Sequence, residues 1–294
     1  MIEFSSVEQM LEDTRVSGLP LWENIMRSDC EQQGISAEVS RAKMDRLLDA
    51  MVAADASYRA DERSASGLVG GDGGKMMDYM KSGKTLCGDF ISDVMAGALR
   101  MGECNACMKR IVAAPTAGAC GVLPAVLLAY HRHFGSEDLG DDEENLVRAL
   151  YVAAGFGMTI ANRASISGAE GGCQAEIGSA AAMAAPALVQ LMGGTPEQMA
   201  HAGAMAMKNL LGLVCDPVGG LVEVPCVKRN VIGAMDAVSA AQMAMAGIES
   251  RVPPDQVIDA MREVGASLPH TLRETGKGGL AATPFGKKYQ PKED

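Results

Sequence analysis

"SAEVSRAKMDRLLDAMVAADASYRA" spans Ser36–Ala60, and the placement of its apolar residues decides the fold class. Val39, Met44, Leu47, Leu48, Met51 and Val52 recur at helical spacing, which lines one face of a long amphipathic helix. Working outward, the same periodicity predicts helices from Asp89 to about Val112 and over about 120–134, 142–161, 175–192, 196–212, 226–249 and 254–268. Start signals support several of these. Thr195-Pro196-Glu197-Gln198 combines an N-cap threonine, proline at N1 and glutamine at N3. Pro254 and Asp255 open the last long helix in similar style, and the acidic "GDDEENL" suits a positive helix N-terminus. The first thirty residues are weakly patterned, and "SASGLVGGDGGKM" (Ser64–Met76) reads as a glycine-rich loop. No convincing period-2 strand occurs. The expectation is an all-α, multi-helix domain whose helices are separated by glycine-rich loops that carry the site.

Composition agrees. Of 294 residues 48% are hydrophobic but only 4% aromatic, while methionine reaches 21, so Ala, Gly, Met and Leu must build a core of closely packed helices. A formal charge of −11 argues against a nucleic-acid or anionic-membrane surface. The opening "MIEFSSVEQM" has no signal-peptide pattern, and "SAAAMAAPALVQLM" is too short to span a bilayer, so a cytoplasmic protein is expected. Eight cysteines are many for such a compartment, and metal or cluster ligation becomes a live reading.

Several motifs drop out. "DYMKSGKT" has Asp78 where a phosphate loop needs glycine, and "VGGDGGKM" begins with Val69 and has Met76 after its lysine. "CNAC" (Cys104–Cys107) lacks a second pair and sits in a helical run, where ordinary packing accounts for it. His131 and His133, two apart on a helix, point to different faces and read as surface residues. By contrast Cys173 in "EGGCQAE", Cys215 in "LVCDPVGG" and Cys226 in "VEVPC" are held by Gly and Pro turns, which allow sulfurs to converge. Three converging thiolates suit an iron–sulfur cluster with one open iron, and separate buried cysteines are the alternative.

"IVAAPTAGACGVLPAVL", "ANRASISGAEGGCQAEIGSAAAMAA", "GLVCDPVGGLVEVPCVKRN" and "TGKGGLAATPFG" together resemble the α subunit of iron–sulfur-dependent L-serine dehydratases, from about Ser36 to Gly286. The resemblance implies a helical catalytic domain over 36–286, flanked by an N-terminal segment (1–35) and a short tail (287–294). It implies a [4Fe–4S] cluster on Cys173, Cys215 and Cys226, and deamination of L-serine to pyruvate and ammonia. A separate β subunit is implied as partner in a larger oligomer, because one-chain members carry an additional domain that this chain lacks. "NACMKR" departs from the expected pattern, which agrees with reading Cys104 and Cys107 as structural.

The glycine loop offers backbone N–H groups for the substrate carboxylate through Gly67, Gly70, Gly71 and Asp72, with the hydroxyls of Ser64 and Ser66 adding hydrogen bonds. A flexible connector is the other reading of that loop. Thr116, Ser165 and Ser167 are further substrate contacts. The base stays open between Lys75, His270 and the β subunit. L-Cysteine desulfidation on the same cluster, pyridoxal-phosphate chemistry on Lys75, and a non-enzymatic zinc protein are the rival functions.

Overall fold

The structure, a computed structural model, describes residues 5–290. Residues 1–4 of the expected N-terminal segment and 291–294 of the expected tail lie outside them. The described residues form an all-α array: α1 (Val7–Ser17), α2 (Leu21–Gln33), α3 (Ala37–Ala56), α4 (Asp72–Lys81), α5 (Gly88–Ala106), α6 (Val122–Phe134), α7 (Leu139–Arg163), α8 (Gly168–Gly171), α9 (Ser179–Leu191), α10 (Pro196–Asn209), α11 (Cys226–Met245) and α12 (Pro254–Ser267). Their only β feature is one isolated bridge, between Cys215 and Arg273.

Helix α9, "SAAAMAAPALVQL", is the axle of the array, buried from Ser179 to Val189 and packed by α6, α7, α10 and α11. A helix apolar all round has no face for solvent, so it must be surrounded. Small residues let the neighbours come close. A Cβ on Gly157 of α7 would lie 2.9 Å from Met183, and one on Gly203 of α10 would lie 3.0 Å from Phe156.

Local signals work as expected at several ends. Ser36 caps α3 by accepting from the Val39 N–H, and Thr195 with Gln198 forms a complete capping box on α10. Two stretches differ from the sequence reading. The weakly patterned start forms α1 and α2, whose amphipathic faces bury Val7, Met10, Leu21 and Ile25 in the core. The glycine-rich stretch 64–76 is a loop only as far as Gly71, because α4 begins at Asp72. Burial outweighs glycine's low helix propensity there. A Cβ on Gly73 would meet Arg100 at 2.9 Å and Tyr58 at 3.1 Å, and one on Gly74 would meet Ala60 at 2.6 Å.

Candidate active site

Cys173, Cys215 and Cys226 are free thiols, 3%, 3% and 8% exposed, and come from three separate segments. Cys173 leads a π-helical turn (Gln174–Gly178) that runs into α9. Such turns are rare and recur at functional sites. Gln174 pins this turn, its side chain donating to the Met261 carbonyl (2.9 Å) and accepting from the Gly212 N–H (2.9 Å). Cys215 is held through its backbone: its N–H donates to Leu272 (2.9 Å) and its carbonyl accepts from the Glu274 N–H (2.8 Å). Glu274 takes φ +61°, an uncommon conformation for a non-glycine residue. Cys226 is the first residue of α11, where the buried Asn230 side chain donates to the Cys226 carbonyl (2.9 Å) and to Gly118 (2.8 Å).

The three thiols feel one another electrostatically. Burial pushes Cys173 up to about 11 and Cys226 up to about 12, and Cys215 rises under burial, Glu176 and Cys173. Without a metal they are neutral thiols. A coordinating metal reverses that by taking up the thiolate form.

Glu176, three residues after Cys173, enters the same space. Its Oε1 accepts from Thr116 Oγ1 at 2.7 Å, and Cys215 Sγ lies 3.8 Å from its Oε2. Burial raises its carboxyl above the ordinary range, and the Glu274 charge adds to this while the Thr116 hydroxyl opposes it. Two glycines make room: a Cβ on Gly168 would lie 2.7 Å from Glu176 Oε2 and 3.0 Å from Cys215 Sγ, and one on Gly118 3.0 Å from Glu176 Oε1. Arg229 is ion-paired to Asp216 at 2.9 Å, and its charge favours the thiolate form of Cys173. Sequence reasoning left Glu176 unassigned and missed Arg229. The usable signal was position, since each lies three residues beyond a candidate ligand.

The glycine loop is arranged differently from the expectation. The N–H groups of Asp72 and Gly73 donate to the Glu103 carboxylate, at 2.7 and 3.2 Å, and that of Gly74 donates to Tyr58 Oη at 2.9 Å. Glu103, 2% exposed, thus satisfies the α4 N-terminus that an incoming carboxylate would need. Gly67, Gly70 and Gly71 all have positive φ and shape the turn. Ser64 and Ser66 both donate to Glu223 Oε2, at 3.0 Å for Ser64, while their oxygens accept from Val69 and Leu68 N–H groups. Glu223 lies three residues before Cys226, so this carboxylate ties the loop to the segment that leads into α11.

The remaining candidates scatter. Lys75 projects outward, 76% exposed, in an ion pair with Asp72 that Lys228 shares. His270 is exposed in a short 3-10 turn. Ser165 caps its own turn by accepting from the Ser167 N–H (3.1 Å) and lines a cavity of about 380 Å³ with Arg262 and Arg273, beside the Cys173 loop. Cys104 packs in the core near Ala54, and Cys107 terminates α5. His131 is not a surface residue: it is buried and paired with Asp142 at 2.9 Å.

The site is thus a set of three buried thiols in a helical domain, one of them against a buried carboxyl. The serine dehydratase alpha chain family model matches residues 16–281, and the chain belongs to that family. It is 48% identical over 289 residues to the probable L-serine dehydratase, alpha chain, of Bacillus subtilis, covering 98% of this chain and 95% of that one. The L-serine dehydratase, alpha chain, of Peptoniphilus asaccharolyticus is 40% identical over 287 residues, 97% of each. A stretch of 185 residues is 51% identical to the L-serine dehydratase of Mycobacterium bovis, 63% of this chain but 40% of that protein. Among the described residues no helix is long and apolar enough to cross a membrane.

Proposed function

We propose that this chain is the cluster-bearing α subunit of an enzyme that converts L-serine to pyruvate and ammonia, with a β subunit as a separate chain. The family and the relatives' names support the reaction. The observation that carries the cluster is the set of three buried, unbridged thiols, with Glu176 against Cys215. Thiolate donors favour iron–sulfur clusters or zinc. Among the described residues no three His, Cys, Asp or Glu side chains are arranged to hold a single ion, as a zinc site requires. In a cluster each thiolate has its own iron, so the sulfurs need not meet at one point.

Bound on Cys173, Cys215 and Cys226, a [4Fe–4S] cluster would supply a Lewis-acidic iron to stabilise hydroxide as it leaves. Loss of the α-proton and the β-hydroxide gives aminoacrylate, whose imine form takes up water and releases ammonia and pyruvate. The protein's residues bind, orient and exclude water. The Ser64 and Ser66 hydrogens are already directed at Glu223, so this loop presents a negative group, which suits the substrate ammonium better than its carboxylate. Glu176, which accepts from Thr116 and lies beside Cys215, is the buried carboxyl of the thiol site. Lys75 and His270, both on the surface, serve in catalysis only if the β subunit covers them.

The test is anaerobic turnover by the reconstituted chain together with its β subunit. Pyruvate from L-serine at a rate far above sulfide release from L-cysteine is expected. Preferential sulfide release would make the protein a desulfidase instead, and stoichiometric zinc without iron would remove the enzyme reading.

A further inference from the structure

We propose that Arg229 is the positioning residue that holds the Cys215 and Cys226 segments in register for the cluster, through a single guanidinium that ties one to the other. The inference rests on the cluster reading above. Arg229 lies one turn after Cys226 on α11, so its backbone moves with that ligand. Its Nη1 donates to the Val214 carbonyl at 2.7 Å and its Nη2 to Asp216 Oδ1 at 2.9 Å, the two residues that flank Cys215. The charge of the same guanidinium also acts on the Cys173 thiol. Asp216 passes the restraint on, because its Oδ2 accepts the Leu280 N–H at 2.8 Å and so ties the C-terminal segment to the Cys215 loop.

Arginine is the side chain for this job. Its planar fork presents five donors in fixed directions, whereas lysine offers one flexible point charge and cannot hold the Val214 carbonyl and Asp216 at once in the same geometry. Charge acts in the same direction. Three thiolates in a water-poor site carry an uncompensated negative charge, and the Arg229 side chain is only 13% exposed, so its field is weakly screened. Much of that charge is already shared with Asp216. What remains acts on the thiol site as a positive charge, and nearby charge is among the factors that set cluster reduction potentials.

The experiment compares the wild-type chain with Arg229→Lys, Arg229→Gln and Asp216→Asn after anaerobic reconstitution with ferrous iron and sulfide. It reads iron and sulfide per chain, the rate of cluster loss to a chelator, and the midpoint potential, with circular dichroism as the folding control. Arg229→Gln is expected to lose cluster at least tenfold faster. Its reduction equilibrium is expected to shift about tenfold toward the oxidised form, about 59 mV downward for one electron. Arg229→Lys keeps the charge and recovers the potential in part, but not the retention, because the fork is gone. Asp216→Asn keeps the fold and frees one arm of the guanidinium, so it also loses cluster faster. If the wild type loads and all three variants match it in loss rate and potential, the inference is overturned while the cluster reading stands. A wild type that takes up no iron and sulfide overturns both.

Discussion

Gly168→Ala is a one-carbon probe of the thiol site. Gly168 does not have a positive φ, so alanine meets no backbone strain and only the added methyl matters. That methyl would stand 2.7 Å from Glu176 Oε2 and 3.0 Å from Cys215 Sγ, against comfortable separations of about 3.5–4.0 Å. Something must move by roughly 0.5–1 Å. Glu176 cannot swing away without losing its 2.7 Å bond from Thr116, and Cys215 is pinned through its N–H and its carbonyl. Overpacking of this kind costs about 1–3 kcal/mol, or about 2–6 °C in Tm for a chain of this size. Function should suffer far more, because a misplacement near 1 Å at reacting groups costs on the order of 10²-fold. Gly178→Ala is the control, since its methyl would sit 3.7 Å from Leu210 in ordinary contact. The assay is anaerobic pyruvate formation, iron per chain and thermal unfolding of both variants. Wild-type turnover and iron content in Gly168→Ala, or equal damage from Gly178→Ala, would refute the packing argument.

Replacing Cys173, Cys215 or Cys226 with serine should abolish iron binding and turnover, whereas Cys104→Ser and Cys107→Ser should leave iron per chain unchanged; iron analysis after reconstitution decides it. Glu103→Ala strips the acceptor from two backbone N–H groups and from Tyr58 Oη, and should lower stability by about 3 kcal/mol in urea unfolding. It should also speed amide exchange at Gly73; an unchanged urea midpoint would mean that α4 does not depend on this cap. Asp236 is raised from 3.8 to about 6 by burial, against one hydrogen bond from Asn209. Its folded state therefore holds a proton that the unfolded chain has released, so its contribution is intact below about pH 4 and is lost as pH rises through about 6. Asp236→Asn should gain stability over the wild type across that window, by up to about 3 kcal/mol above pH 6. A difference that is flat with pH would show that Asp236 titrates normally.

Helix existence was legible wherever apolar spacing was strong, as in α3, α10 and α12. Ends were less so. The run from Asp89 reads as helical to about Val112, yet α5 stops at Ala106, where Met108 takes φ +60°. The start of α4 was hidden because its cap, Glu103, comes from thirty-one residues downstream and its glycines are demanded by contacts with Tyr58, Ala60 and Arg100. Helices α1 and α2 carry short apolar faces that become informative only against α7 and α12. At the site, the turn-borne thiols stood out by local sequence; all three are buried, and Cys215 lies beside the Glu176 carboxyl. The roles of Glu176, Glu223 and Arg229 depend on partners 13 to 159 residues away, and no single-sequence spacing encodes such pairings.

The central claim is that this chain holds an iron–sulfur cluster on three thiols. Anaerobic iron and acid-labile sulfide quantification of the reconstituted chain, beside its Cys215→Ser variant, tests it most directly. The account predicts about four irons and about four sulfides per wild-type chain, and near-background values for the variant. Equal iron in the two proteins, or no sulfide in either, would contradict it.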